Sequence, residues 1–127
     1  MSDDTIQHVY LGLTQKIQIC QKQLGQIEAQ IGANEREIRL ASLTKSEVDG
    51  LDSTVPLYKS VGKMFIQESK DDILRDLQKT TGDATSIIEA LQKKKKFTTR
   101  DLDEATGNLK DLVRQTQASA RAAASSR

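Results

Sequence analysis

The sequence has few of the residue types from which catalytic and metal-binding sites are built. Its 127 residues include one histidine, one cysteine and no tryptophan. One histidine and one cysteine are too few ligands for a zinc site, and Cys20 has no second cysteine with which to form a disulfide within the chain. The glycines are scattered singly, so no glycine-rich phosphate loop is present. We therefore predict that the chain is not an enzyme and binds no cofactor or metal.

Long hydrophobic stretches are also missing. No apolar run approaches the ~20 residues that a membrane-spanning helix needs. The first residues, MSDDTIQHVY, lack the basic and then apolar pattern of a secretory signal. We therefore expect a cytoplasmic protein without membrane contact. Hydrophobic residues make up 36% of the chain and aromatic residues 3%, which suits the narrow apolar stripe of a coiled coil better than a globular core.

Apolar residues recur through the first third of the chain in alternating steps of four and three. Ten of the eleven positions in this series are non-polar or aromatic. An average spacing of 3.5 residues, kept up over many turns, is typical of a coiled-coil seam. The positions are Ile6, Tyr10, Leu13, Ile17, Cys20, Leu24, Ile27, Ile31, Asn34, Ile38 and Ala41. The pattern predicts a helix over about residues 5–42.

A second, weaker seam runs through the other half of the chain and is interrupted by Thr81, Lys95 and Thr98. Its positions are Leu74, Leu77, Thr81, Ala84, Ile88, Leu91, Lys95, Thr98, Leu102, Ala105, Leu109 and Leu112. We predict a helix over about residues 70–116, capped by Ser69 and with an acidic residue three positions later. The small, polar residues 117–127 are predicted to be disordered.

The two seams face each other when the chain is folded back about residues 57–58. Leu13 then lies opposite Leu102, and the polar Asn34 lies opposite the polar Thr81, a pairing that would fix the register. The segment LTKSEVDGL between the first helix and the hairpin is predicted to be a separate turn of helix. The predicted fold is therefore mainly α, a long antiparallel two-helix coiled coil joined by a β-hairpin, in one domain over residues 1–127.

The middle segment VPLYKSVGKMFIQES differs from its helical flanks because it is rich in strand formers. It predicts strands over about residues 54–60 and 63–68, with a tight turn at SVGK, where Gly62 supplies a permissive backbone. A lone two-stranded hairpin is marginal in water, and its open edges carry unpaired N–H and C=O groups. We therefore predict that it joins hairpins of other chains. The predicted assembly residues are Val55, Leu57, Tyr58, Val61, Gly62, Met64, Phe65 and Ile66.

This order of elements and the hairpin YKSVGKMFIQES resemble the β-type subunits of prefoldin, and among them the eukaryotic subunit-one group. The segments SKDDILRDLQ and ALQKKKKFTTRDLDEATGNLKDLV are similar to the same group, and the resemblance covers about residues 5–113. It implies a heterohexamer of α-type and β-type subunits whose hairpins form a β-barrel. It also implies that the complex holds unfolded actin and tubulin without nucleotide and delivers them to the cytosolic group II chaperonin.

Apolar residues near both ends of the helical pair are candidates for contact with unfolded chains. Helix ends fray, and fraying would expose this apolar surface. The candidates are Ile6, Val9, Tyr10, Leu13, Leu109, Leu112 and Val113. The alternative interpretation is that the coiled-coil seam simply continues to the end of the helices.

Basic charge is concentrated towards the end of the chain. Residues 93–127 carry nine basic and four acidic groups, although the net charge of the chain is only +1. The run Lys93–Lys96 is either a solvated helix face or an attraction for an acidic partner. The small net charge argues against nucleic acid as a partner. Two rival classes remain: a structural or tethering coiled coil, and a nucleic-acid binder acting through residues 93–127.

Overall fold

A computed structural model describes residues 2–125, in which two long helices flank a two-stranded sheet. Helix α1 spans Asp3–Asp49, strand β1 Leu57–Val61, strand β2 Met64–Glu68 and helix α2 Lys70–Ser125. This confirms the predicted fold class. The described residues pack as two compact units. We call residues 29–92 the hairpin unit, and residues 2–28 together with 93–125 the terminal unit.

Helix α1 is longer than predicted, because the segment LTKSEVDGL continues it as far as Asp49 and does not form a separate turn. The reason is that the seam does not stop at Ala41. Val48 lies one heptad later and is also buried. Beyond the helix, the Lys70 Nζ donates a hydrogen bond of 2.9 Å to the backbone oxygen of Leu51.

Helix α2 corrects the prediction of a disordered tail, because residues 117–125 are helical. Five of these nine residues are alanine, the residue with the highest intrinsic helix propensity. The Ser125 Oγ donates to the Arg121 backbone oxygen at 2.7 Å, within the last turn. The small side chains that suggested disorder are therefore compatible with an extended helix. Residues 126–127 of the predicted tail lie outside the described residues.

The start of α2 confirms the predicted cap. The backbone N–H of Asp72 donates to the Ser69 Oγ at 3.2 Å, which satisfies one of the N–H groups that have no partner at a helix start. Asp71 and Asp72 lie in the first turn, where their negative charge is favourable beside the positive end of the helix dipole.

The hairpin has shorter strands than predicted. Pairing runs from Leu57 opposite Glu68 to Val61 opposite Met64, so residues 54–56 lie before β1. Pro56 accounts for this limit, since it has no N–H to donate to a strand ladder. The loop consists of Gly62 and Lys63. Gly62 has a φ of 62° and Lys63 does not have a positive φ, a combination that matches a type II′ turn.

Helix packing within the hairpin unit has a different register from the predicted one. Ala41 and Lys45 share a surface groove with Leu77 and Thr81, whereas the predicted fold-back places Ala41 opposite Leu74. The shift is close to one heptad. A heptad pattern looks the same after a shift of seven residues, so both seams still face each other and the sequence pattern alone does not distinguish the two registers.

The predicted polar pair between Asn34 and Thr81 is wrong for the same reason. The Asn34 Nδ2 donates to the Gln30 backbone oxygen at 2.8 Å, and the Thr81 Oγ1 donates to the Leu77 backbone oxygen at 3.1 Å. Each polar side chain therefore donates to its own helix one turn earlier and not across the seam. Neither side chain needs a partner across the seam.

The terminal unit buries small and branched residues at the predicted seam positions. Ile27 is 2% exposed, and Cys20 and Ala105 are also buried. The interrupting residue Thr98 is buried as well. Lys95 is exposed, and its Nζ lies 3.6 Å from the Glu28 Oε1. No helix among residues 2–125 is both long and apolar enough to cross a membrane.

Candidate assembly and polypeptide-binding surfaces

The hairpin presents large apolar side chains to solvent. Phe65 is 73% exposed and Met64 66% exposed, which is unusual for residues of this size. Leu57, the first residue of β1, is half-buried. The other apolar residues predicted for assembly are exposed. The exposed members of the set are Val55, Tyr58, Val61, Met64, Phe65 and Ile66.

Both faces of the hairpin carry this apolar surface. Residues directly opposite in an antiparallel pair lie on the same face. Val61 and Met64 therefore share one face with Ile66, while Tyr58 and Phe65 lie on the other. The sheet has only these two strands among the described residues, so both outer edges offer unpaired backbone groups. The predicted assembly residues are thus brought together on an open, two-sided element.

An ion pair links the middle of β1 to α2. The Lys59 Nζ lies 3.2 Å from the Asp76 Oδ2. This hydrogen bond, the charge of Asp76 and the charge of Glu68 raise the pKa of Lys59 above its ordinary value. Tyr58, Lys59 and Asp76 border a groove of about 240 Å³. Sequence reasoning missed this pair, because the two residues lie 17 positions apart in elements of different periodicity.

A second apolar surface lies in the terminal unit, where the start of α1 meets the end of α2. It is a groove of about 430 Å³ lined by Asp3, Ile6, Gln7, Tyr10, Leu112, Val113, Thr116 and Gln117. Leu112 is buried at its floor, whereas Tyr10 and Val113 are exposed on its walls. We call this the terminal groove. Its walls are mostly apolar, so it suits an apolar side chain better than a charged ligand.

The terminal groove brings together four of the seven candidate contact residues: Ile6, Tyr10, Leu112 and Val113. Val9 and Leu13 line an adjoining groove of about 280 Å³ together with Leu112. Leu109 is half-buried in the seam. Sequence reasoning missed Thr116 and Gln117, because Gln117 was placed in a disordered tail and Thr116 at the limit of the predicted helix. The signal that would have found them is the alanine content of the last residues.

Other exposed apolar residues lie off both predicted surfaces. Leu40 and Leu43 are exposed on α1 in the hairpin unit, and Ile87 is exposed on α2. In the terminal unit, Ile19 and Phe97 are exposed. None of them falls on a seam position, so the heptad pattern predicts their exposure without indicating a use.

Comparison with known proteins identifies the family of the chain. A family model described as prefoldin subunit matches residues 13–116. The chain belongs to the prefoldin subunit family. As a family member, it is a chaperone subunit, and the predicted resemblance is confirmed.

The curated relatives align over most of their length. Prefoldin subunit 1 of Tetraodon nigroviridis is 30% identical over 114 residues, which cover 87% of this chain and 91% of the relative. The probable prefoldin subunit 1 of Caenorhabditis briggsae is 27% identical over 113 residues, covering 89% and 97%. The chain is thus similar to subunit-one proteins from a fish and a nematode.

The fold is shared with an archaeal β subunit. The crystal structure of the prefoldin beta subunit from Thermococcus strain KS-1 aligns with a TM-score of 0.73 at 20% identity, covering 80% of this chain and 90% of that one. The beta2 subunit of the same strain aligns with a TM-score of 0.64 at 18% identity, covering 72% and 97%. At these identities the likeness shows the fold alone, a β-type arrangement of two helices and one hairpin.

Proposed function

We propose that this prefoldin subunit is a β-type chain of a cytoplasmic heterohexameric co-chaperone. The complex contains other α-type and β-type prefoldin subunits. It binds unfolded polypeptides, actin and tubulin among them, and delivers them to the cytosolic group II chaperonin. It acts without nucleotide, metal or catalysis. The observation that carries the proposal is the terminal groove, an open apolar surface built from the start of one helix and the end of the other.

Assembly through the hairpin follows from its exposed apolar residues and its unpaired edges. In a monomer, Phe65 and Met64 would stay in water and contribute no free energy of burial. A structural coiled coil needs only a turn between its two helices. Burial of apolar area contributes roughly 25 cal/mol per Å², and strand pairing with neighbours would also satisfy the open edges. These features favour an assembly element over the rival tethering function.

Polypeptide binding follows from the chemistry of the terminal groove. Beyond the first turn of α1 its backbone groups are engaged within helices, so it offers no strand edge for main-chain pairing. Apolar contact is non-directional, which suits clients of varied sequence. A single groove of this size accommodates one or two side chains. We therefore expect weak binding by one subunit and useful affinity only when several subunits hold one client.

The test is aggregation of denatured actin, followed by light scattering after dilution into assembled complex without nucleotide. The double variant Tyr10→Ser/Val113→Ser removes apolar surface from the groove walls. Ile19→Ser is the matched control, because Ile19 is an exposed apolar residue of α1 outside the groove. We expect the double variant to lose most of its suppression of aggregation and the control to act as the unmodified complex does.

Two outcomes would contradict the proposal. Equal suppression by the double variant and the control would show that the terminal groove does not hold the client. A requirement for ATP in the unmodified complex would exclude passive holding. Delivery is measured separately, by mixing complex loaded with fluorescent actin with purified chaperonin and following the appearance of actin in the chaperonin fraction.

A further inference from the structure

Basic residues surround an exposed phenylalanine on α2, within the terminal unit but outside the terminal groove. Lys93 and Lys94 precede Phe97 by four and three residues, and Arg100 follows it by three. Residues at these spacings are neighbours on a helix surface. Together with Lys96 they form what we call the basic-aromatic patch: Lys93, Lys94, Lys96, Phe97 and Arg100.

The patch is on the solvent side of the helix. Phe97 is 62% exposed, whereas the next residue, Thr98, is a buried seam position. Arg100 stacks over the Phe97 ring, with its guanidinium carbon 5.9 Å from the ring centre. This geometry is a cation–π contact, and it holds an apolar ring and a positive charge side by side. Nothing in the packing of the terminal unit requires Phe97 to be aromatic.

The basic groups of the patch form no ion pair within the described part of the chain. Among residues 2–125, Lys95 is the member of the lysine run that has an ion pair, with Glu28. Lys93, Lys94 and Lys96 have no carboxylate within ion-pair distance in the described part of the chain, and neither has Arg100. Lys96 lies three residues after Lys93 and four before Arg100, and like charges at these spacings on a helix repel one another. An outside anion would relieve this repulsion.

We propose that the basic-aromatic patch is an accessory binding surface for acidic segments of unfolded polypeptides, with Phe97 contacting an apolar side chain beside the client's carboxylates. The proposal rests on the proposed function, because the occupant is part of a client. It adds a preference among clients to that function. Clients with acidic unfolded segments are held at two surfaces, the terminal groove and the basic-aromatic patch, and clients without them at the terminal groove alone.

The dimensions and borders of the patch favour a polypeptide over a nucleic acid. Residues 93–100 extend only about 10 Å along the helix at ~1.5 Å per residue. This length suits the carboxylates of a short peptide segment but is too short for a continuous run of phosphates. Asp101 and Glu104 lie one and four residues after Arg100 and would repel any polyanion that continued along α2. A peptide with a short acidic segment avoids this repulsion because its charge ends with that segment, whereas a nucleic acid carries a charge at every nucleotide.

The test uses assembled complex and fluorescent unstructured peptides, with binding followed by anisotropy. One peptide of about 15 residues contains Asp and Glu around Leu and Phe, and a second replaces the acids by Asn and Gln. In Lys93→Gln/Lys94→Gln/Lys96→Gln, we expect affinity for the acidic peptide to fall about tenfold at low salt. Affinity for the neutral peptide should not change. The difference between the variants should shrink at ~300 mM salt, where exposed charges are screened.

The control variant Lys16→Gln/Lys45→Gln/Lys79→Gln removes the same charge from three exposed lysines outside the patch, and should bind the acidic peptide as the unmodified complex does. Phe97→Ala should weaken acidic-peptide binding about threefold at every salt concentration. An equal loss in the control would reduce the effect to net charge and overturn the proposal.

The remaining outcomes separate the patch from the proposed function. If neither peptide binds the unmodified complex, polypeptide holding itself fails. If both bind and the patch variant matches its control, the patch proposal alone fails. Binding of a thymidine oligonucleotide that is tighter than that of the acidic peptide, and lost in the patch variant, would assign the patch to nucleic acid instead.

Discussion

The hairpin and the terminal groove are both exposed apolar surfaces, but they differ in how their backbones are engaged. The hairpin has two strands, and neither outer edge has a partner among the described residues. The terminal groove is built wholly from helices, whose N–H and C=O groups bond within the same element beyond the first turn of α1. The hairpin therefore offers an open strand edge together with apolar contact, and the groove offers mainly apolar contact.

This difference determines which kind of partner each surface fits. Strand pairing fixes direction and register, so the hairpin suits permanent and specific neighbours. Its side chains are also the more exposed, with Phe65 at 73% against Tyr10 at 46%. The groove imposes no register, so it suits clients that share only apolar character. In our proposal one chain thus uses one apolar surface for assembly and the other for clients. The availability of backbone hydrogen-bonding groups distinguishes the two surfaces.

The largest expected effect comes from placing a charge on the hairpin. Phe65→Asp and Ile66→Asp should each abolish co-purification with the partner subunits, because a buried and unpaired carboxylate is costly in an interface. Helix content, measured by circular dichroism, should persist. The matched control is Ile87→Asp, an exposed apolar residue on α2. Full recovery of partners with both hairpin variants would remove the contrast between the two surfaces.

The helix register of the terminal unit can be tested by cross-linking. In a Cys20→Ser background, Leu13→Cys with Leu109→Cys should react with a short bismaleimide faster than Leu13→Cys with Leu102→Cys. The reason is that Leu13 shares a groove with Asn108 and Leu112. Gel mobility of the denatured monomer measures the product. Faster reaction of the pair with Leu102→Cys would support the register predicted from the sequence and would contradict the arrangement of residues in the terminal groove.

Alanine substitutions at two glycines should have opposite effects. Gly62→Ala forces a φ of 62° on a residue with a side chain, at a cost of ~1–2 kcal/mol. Gly12 is helical and a Cβ there would meet no atom within 4 Å, so Gly12→Ala should stabilise by ~1 kcal/mol. Thermal unfolding of the assembled complex gives both values. Equal shifts of the melting temperature in the two variants would mean that the turn does not require a positive φ at residue 62.

The smallest effect is expected from the ion pair between β1 and α2. Asp76→Asn removes the partner of Lys59, and since both side chains are about half exposed, the melting temperature should change only slightly. Asp83→Asn is the control, an exposed acid of the same helix. Because the pKa of Lys59 is raised, the stabilisation is fully present below the ordinary value of 10.5. It is lost as the pH rises through the raised pKa. A difference between the two variants that persisted at higher pH would contradict this linkage.

Much of the fold could be read directly from residue order. The two heptad seams predicted two helices, and all their positions except Tyr10 and Lys95 are at least half-buried. The turn at Gly62 and the cap at Ser69 also follow from local chemistry, since one needs a permissive backbone and the other a side-chain acceptor. The exposed apolar residues of the hairpin were predicted for the same reason, because two strands cannot bury both of their faces.

Three features depended on the tertiary structure. The first is the register of the helices, because a seven-residue repeat is unchanged by a shift of seven and Asn34 is satisfied within its own helix. The second is the extent of the terminal groove, which needs the helical continuation through Gln117. The third is the contact between Lys59 and Asp76. Local pattern determines which residues form helix, strand and seam, since those choices depend on neighbours within a few positions. Which residues of distant segments meet is decided by packing, because many alignments of the same pattern satisfy the local rules equally well.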